Sequence, residues 1–206
     1  MPDNDVTPDP RARARSVKRI TDPRALRALA HPIRLSLLGA LRTHGPLTAT
    51  KAAELIGESS ASCSFHLRQL SKYGLVEEAS GGHGRERPWQ ATTMFTDVPE
   101  VADSPELAAA ADLFRSVVLE RYFENATRWL DAKASEPQEW QRAAQINDRF
   151  LYLTAAELLE VTERIGAMLD TYTDRNVSPA LRPAESRLVS CINLGFPLLG
   201  NQEVSR

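Results

Sequence analysis

The chain has 206 residues, of which 42% are hydrophobic and 25% charged, and its net charge is −2. This is a globular composition, and no apolar run reaches the roughly 18 residues that span a membrane. The N-terminus lacks the apolar core of a secretory signal, and the two cysteines, Cys63 and Cys191, form neither a disulfide framework nor a zinc motif. These features predict a cytoplasmic protein without a resident metal or other cofactor.

The charge is divided unevenly along the chain. Residues 1–95 contain 14 Lys/Arg and 9 Asp/Glu, whereas residues 96–206 contain 11 and 18. Nine basic residues and one acid lie between Arg11 and Arg42. A polyanion would therefore meet the N-terminal half, and an ordinary solvated basic face is the alternative.

The first elements are predicted from the residues that typically begin and end helices. Residues 1–20, rich in Pro and Arg, are expected to be a disordered basic tail. Asp22 followed by Pro23 is typical of a helix start. Pro32 ends that first helix and opens a second, which stops at His44-Gly45-Pro46.

Two more helices and a hairpin follow. A third helix is expected after Thr50, and Gly57 ends it before the fourth begins. In the fourth helix one apolar stripe recurs at helical spacing, formed by Cys63, Leu67 and Leu70. Two strands, 75–78 and 85–92, then flank the glycine-rich turn 80–84. Residues 21–95 therefore have the element order of a winged helix-turn-helix domain.

Such a domain places its fourth helix in the major groove of double-stranded DNA. The outer face of that helix and its start supply the candidate contacts Ser60, Ala61, Ser62, Ser64, Phe65, Arg68, Gln69 and Lys72. The hairpin adds His83, Arg85 and Arg87, which suit a minor groove or phosphates. A solvated helix face and a solvated hairpin are the alternatives.

Residues 96–206 are expected to form a helix-rich dimerisation and effector region. Ser104-Pro105 begins a helix that runs to about Ala134 and is too long for one small domain to cover. Its apolar residues at helical spacing predict a homodimer seam formed by Leu107, Phe114, Val118, Tyr122 and Trp129. Thr154 and Glu157 predict a capping box, and strands are expected within 143–153 and at 187–194.

Three segments together resemble one protein family: ALAHPIRLSLLGAL, LTATKAAELIGESSASCSFHLRQLSKYGLVEEA and GGHGRERPWQAT. They are similar to the ArsR-type winged helix-turn-helix regulators, strongly over residues 20–95 and weakly over 104–195. The resemblance implies a homodimer on a palindromic operator, usually repressing and released by an effector. Many relatives have His or Tyr where this chain has Phe65. The Cys-rich site of metal-sensing members is missing, and the four histidines do not pair at ligand spacing.

The whole sequence thus predicts a mainly α fold with small β elements (α+β), an N-terminal winged helix-turn-helix domain and a C-terminal helical region. The expected function is a dimeric transcriptional regulator with no enzymatic activity. One alternative is a winged-helix protein-interaction module that does not read DNA, and another is a regulator whose C-terminal half binds a small molecule. An enzyme is disfavoured because no nucleophile motif, phosphate-cradling loop or acid pair is present.

Overall fold

The computed structural model describes residues 16–79 and 87–199, and within them the fold is mainly helical with small β elements, as predicted. The helices are α1 (Pro23–Leu29), α2 (Pro32–His44), α3 (Ala49–Ile56), α4 (Ser60–Lys72), α5 (Pro105–Ala132), α6 (Gln138–Ala143), α7 (Ala155–Asp170) and α8 (Asp174–Val177). The strands are β1 (Val17–Arg19), β2 (Val76–Glu78), β3 (Trp89–Ala91) and β4 (Phe95–Asp97). Short 3₁₀ turns lie at Lys133–Ser135 and Pro179–Leu181.

The helix starts follow the local signals in the sequence. Asp22 caps α1, its carboxylate accepting a hydrogen bond from the Arg24 amide at 2.8 Å, and Pro23 occupies the first helical turn. The Thr154 hydroxyl and the Glu157 carboxylate form the predicted capping box of α7. These helices therefore begin where short-range chemistry favours them.

Strand β1 lies in a segment that the sequence assigns to the basic tail. It pairs in parallel with β4, and the Ile20 amide continues the ladder to the Asp97 carbonyl at 2.9 Å. Ile20 itself is buried in the core. The expected tail therefore ends earlier than residue 20, because backbone pairing with a strand far along the chain holds residues that have little apolar character of their own.

One apolar core joins the helix-turn-helix region to the start of α5. Its fully buried side chains include Leu26, Leu29, Leu37, Leu67, Leu70, Leu75, Val76 and Cys63. Leu107, Ala110 and Ala111 of α5 belong to the same cluster, and α1 packs against α5. The boundary expected at residue 95 therefore does not separate two cores.

Two arginines tie α2 to its neighbours through neutral acceptors. Arg42 donates to the Thr93 carbonyl at 2.9 Å and to the Thr96 hydroxyl at 2.8 Å, and Arg121 donates to the Leu35 carbonyl at 2.8 Å. Burial, with a further effect of the Arg121 charge, lowers the pKa of Arg42 to about 10. The guanidinium groups thus fix α5 and β4 on α2.

The two strands predicted in the C-terminal half are wrong. Residues 144–153 and 187–194 have no strand pairing in the structure, and large apolar side chains such as Phe150, Tyr152 and Leu188 are exposed. Their apolar composition indicated burial, but no neighbouring strand of the described chain satisfies their backbone. Helix α7 likewise contributes no buried residue within the described part of the chain.

Candidate nucleic-acid interface

Helix α4 is held in place by a tight turn and a side-chain cap. Gly57 ends α3 in the left-handed conformation, with φ of +74°, which other residues rarely adopt. The Ser59 hydroxyl then accepts a hydrogen bond from the Ser62 amide at 3.1 Å. This turn makes α3 and α4 a packed helix-turn-helix pair.

The inner face of α4 is the predicted stripe. Cys63, Leu67 and Leu70 are fully buried, and His66 joins them. Burial, with a smaller effect of Glu58, raises the pKa of the Cys63 thiol, so Cys63 is a small core residue here. The stripe fixes which face of α4 is turned outward.

The outer face carries the residues expected to contact DNA. Ala61, Phe65, Arg68 and Lys72 are exposed, together with Ser60 at the helix start. Ser62, Ser64 and Gln69 are half-buried on the flanks of this face. The eight expected positions of α4 therefore all keep some exposed surface, and none belongs to the buried stripe.

Two of these side chains have specific neighbours. The Ser60 hydroxyl shares a hydrogen bond of 3.2 Å with the Thr50 hydroxyl, which joins the starts of α3 and α4. Phe65 is 50% exposed and meets the His66 ring edge-on, with centroids 5.1 Å apart. An aromatic ring therefore projects from the middle of the outer face.

A histidine pair under α4 connects it to the start of α2. The His31 and His66 rings lie 4.5 Å apart, and Arg34 donates from Nε to His66 Nδ1 at 3.3 Å. Burial lowers the pKa of both histidines, and the Arg34 charge lowers them further, while Glu58 acts in the opposite direction. Sequence reasoning did not find Arg34 as a partner of this pair, because it lies 32 positions from His66.

The hairpin is only partly described. β2 and β3 pair antiparallel with Glu78 opposite Trp89, and the Leu47 backbone extends the pairing on the other side of Trp89. Arg87 is exposed and forms an ion pair of 2.8 Å with Glu78. His83 and Arg85, the other two expected hairpin contacts, lie outside the described residues.

Helix α5 places three of the five expected seam residues on the side of its own core. Leu107 is only 4% exposed and is covered by its own chain, and Phe114 and Val118 pack partly buried against the same core. Tyr122 and Trp129 are half-buried. The burial of Leu107 therefore needs no partner, contrary to the reason for placing it in the seam.

A family model described as "Helix-turn-helix domain" matches residues 29–79, from the end of α1 to the end of β2. No curated protein matches the chain. Within the described ranges, no helix is long and apolar enough to cross a membrane, and no three His, Cys, Asp or Glu side chains converge as metal ligands would. The family match and the packed pair of α3 and α4 together show that the N-terminal half contains a helix-turn-helix DNA-binding domain.

Proposed function

We propose that this chain is an ArsR-type transcriptional regulator that binds a palindromic operator as a homodimer and represses transcription. The observation that supports this proposal is that helix α4 has one buried apolar face and one exposed polar face. Its inner stripe is fixed in the core, and its outer face presents Arg68 and Lys72, which have no carboxylate partner in the part of the chain that the structure describes. Cations without a carboxylate partner on an exposed helix suit the phosphates and base edges of a major groove.

The experiment that tests this function is the selection of bound fragments from genomic DNA by the full chain. A regulator of this kind should enrich fragments that share an inverted repeat, and the genes beside the repeat would be its targets. The absence of any enriched fragment, from a chain that is folded by circular dichroism, would contradict the proposal and favour the protein-interaction alternative.

The evidence for the proposed homodimer is the outer side of α5, which would form its interface. At 100° per residue, Leu119, Phe123 and Leu130 lie on the face opposite Leu107, and all three are exposed. Their spacing of four and seven residues is that of a helix-helix seam. A second copy packing on this face would cover them, while Phe114, Val118, Tyr122 and Trp129 support the seam from beneath.

An effector belongs to the same proposal. A small molecule bound between the C-terminal helices of the dimer would change the distance between the two α4 helices and release the operator. The exposed aromatic residues of the C-terminal half, such as Phe150 and Tyr152, suit the lining of such a site. A thermal-shift screen of metabolites on the full chain tests this, and a true effector must also lower operator affinity.

A further inference from the structure

An open cleft of about 320 Å³ lies beside helix α4, between that helix, α1 and the start of α2. Its lining residues are Arg24, Arg27, Ala28, Arg34, Gln69 and Tyr73. Three of the six are arginines, and none of the six is acidic. The cleft is therefore a concentration of positive charge that the helix-turn-helix pair itself does not supply.

The three arginines differ in what they bind within the protein. Arg34 is fixed by His66 and by the Ala28 carbonyl, which are both uncharged acceptors. Arg24 and Arg27 are exposed, and in the described ranges their side chains form no hydrogen bond or ion pair. The nearby Asp22 carboxylate already accepts from the Arg24 amide as the cap of α1. Like charges held together without a counter-ion repel one another, and an anion between them removes that cost.

The cleft adjoins the outer face of α4. Gln69 lines the cleft and also flanks the outer face of α4, and Lys72 lies one turn further along the same face. A duplex that seats α4 in its major groove would bring a backbone strand past Gln69. Arginine suits phosphate especially well, because its planar donors match two phosphate oxygens at once.

We propose that Arg24 and Arg27, with Arg34 behind them, bind a phosphate of the DNA backbone that borders the groove occupied by α4. This inference rests on the proposed function and adds to it a second, sequence-independent contact surface supplied by α1. Its role is to anchor and orient α4 on the duplex, since phosphate contacts fix register and carry no direct sequence information. The phosphates of the duplex, not a free phosphate ion, are the expected ligand.

The test compares the full-length wild type with the double variant Arg24→Gln/Arg27→Gln on a fluorescently labelled, mixed-sequence DNA duplex over a range of salt concentrations. Each lost phosphate contact should flatten the slope of log K against log salt by about one unit. The variant should therefore bind more weakly at low salt and with a slope flatter by about one unit. The matched control is Arg142→Gln/Arg149→Gln, which removes the same charge from two exposed positions of the C-terminal half and should keep the wild-type slope.

The outcomes separate the two proposals. A wild-type chain that binds no duplex at all would overturn the proposed function. A wild type that binds, with the same slope for the cleft variant and the control, would overturn the cleft alone. Inorganic phosphate, titrated at constant ionic strength, should not compete with the duplex. Saturable competition that the cleft variant abolishes would show a site for a free anion instead. Because both arginines are exposed and their mutual repulsion is removed, the variant should be folded, with a melting temperature no lower than that of the wild type.

Discussion

At the scale of single residues, Arg68 and Gln69 are the side chains of α4 best placed to read bases. Arg68 is exposed on the outer face, and Gln69 is half-buried beside it. Arg pairs with guanine and Gln with adenine through two hydrogen bonds, and each such pair discriminates by about 1–3 kcal/mol. We therefore expect Arg68→Ala/Gln69→Ala to lower operator affinity by that amount or more, measured by mobility shift on a selected fragment.

The control for this pair leaves α4 unchanged and removes a charge from another part of the chain. Arg149→Ala removes a positive charge from an exposed position of the C-terminal half and should leave operator affinity close to that of the wild type. If the double alanine variant folds normally and binds the operator as well as the wild type, base reading by these two residues is ruled out.

The histidine pair predicts how stability depends on pH. Burial lowers the pKa of His31 and His66, so the folded chain keeps them neutral while the unfolded chain binds protons first as the pH falls. Their contribution is therefore complete above about pH 6.5, the unperturbed value for histidine, and is lost as the pH falls below it. Arg34 opposes protonation, whereas Glu58 favours it.

Urea unfolding of the full chain, repeated at several pH values from about 5 to about 8, measures this effect, because this range brackets the unperturbed pKa of histidine. The wild type should lose stability on the acid side, and His31→Gln/His66→Gln should flatten that loss. His44→Gln, at an exposed histidine, should keep the wild-type profile. An equally steep acid loss in the double variant would assign the effect to other groups.

At the scale of elements, the hairpin offers a prediction that depends on one ion pair. Arg87 is bound to Glu78 at 2.8 Å, so a phosphate contact by Arg87 must compete with that carboxylate. Arg87→Ala should flatten the salt slope of DNA binding by about one unit. Glu78→Gln should raise affinity at low salt because it frees the guanidinium.

The neighbouring Glu77 supplies the control for this hairpin experiment. It accepts a hydrogen bond from Gln90 at 2.9 Å, so Glu77→Gln removes the same charge without releasing an arginine. Its effect on affinity should be smaller than that of Glu78→Gln. Unchanged affinity and unchanged salt slope in Arg87→Ala would exclude this arginine from the DNA contact.

The elements that the sequence predicts well are those with local signals. The Asp22 cap, the Gly57 stop and the Thr154 capping box each depend on residues within one helical turn, and each is present. The pairing of β1 with β4 depends instead on residues 78 positions apart, as in the bond from the Met94 amide to the Ser16 hydroxyl. Local propensity carries no information about such a partner.

The candidate site likewise has one part that local sequence predicts and one part that only tertiary packing creates. The outer face of α4 follows from helical periodicity, because the stripe Cys63, Leu67 and Leu70 fixes the opposite side. The basic cleft combines Arg24 and Arg27 of α1 with Gln69 of α4, and only the packing of the two helices brings these residues together. The stripe on α5 predicts burial of Leu107, and its own chain supplies that burial, because a periodic apolar stripe shows that a face is buried but not by which chain.

At the scale of the whole molecule, α5 links the helix-turn-helix core to the proposed seam. Its first turns complete the core through Leu107, Ala110 and Ala111, so a chain shortened before α5 would lose folded structure as well as any seam. Point variants of the full chain therefore test the dimer better than truncation does. Phe123 and Leu130 are 67% and 56% exposed, and changing them should leave the fold of one subunit intact.

We expect Phe123→Asp/Leu130→Asp to convert the proposed dimer into monomers. Fully burying a Phe or Leu side chain is worth about 1.5–3 kcal/mol, and two-fold symmetry counts each substitution twice. Because about 1.4 kcal/mol is a tenfold change, the dimer should weaken by more than about a hundredfold, as measured by sedimentation at micromolar concentration. Val101→Asp, a matched change at an exposed apolar residue outside α5, should stay dimeric.

The consequence for DNA follows from geometry. A two-fold dimer presents its recognition helices one helical turn apart, roughly 34 Å, and so binds both halves of a palindrome at once. The monomeric variant should keep weak, salt-dependent binding to any duplex and lose its preference for the inverted repeat. A double variant that remains dimeric, with normal operator binding, would place the seam elsewhere and remove α5 from the proposed link between effector and operator.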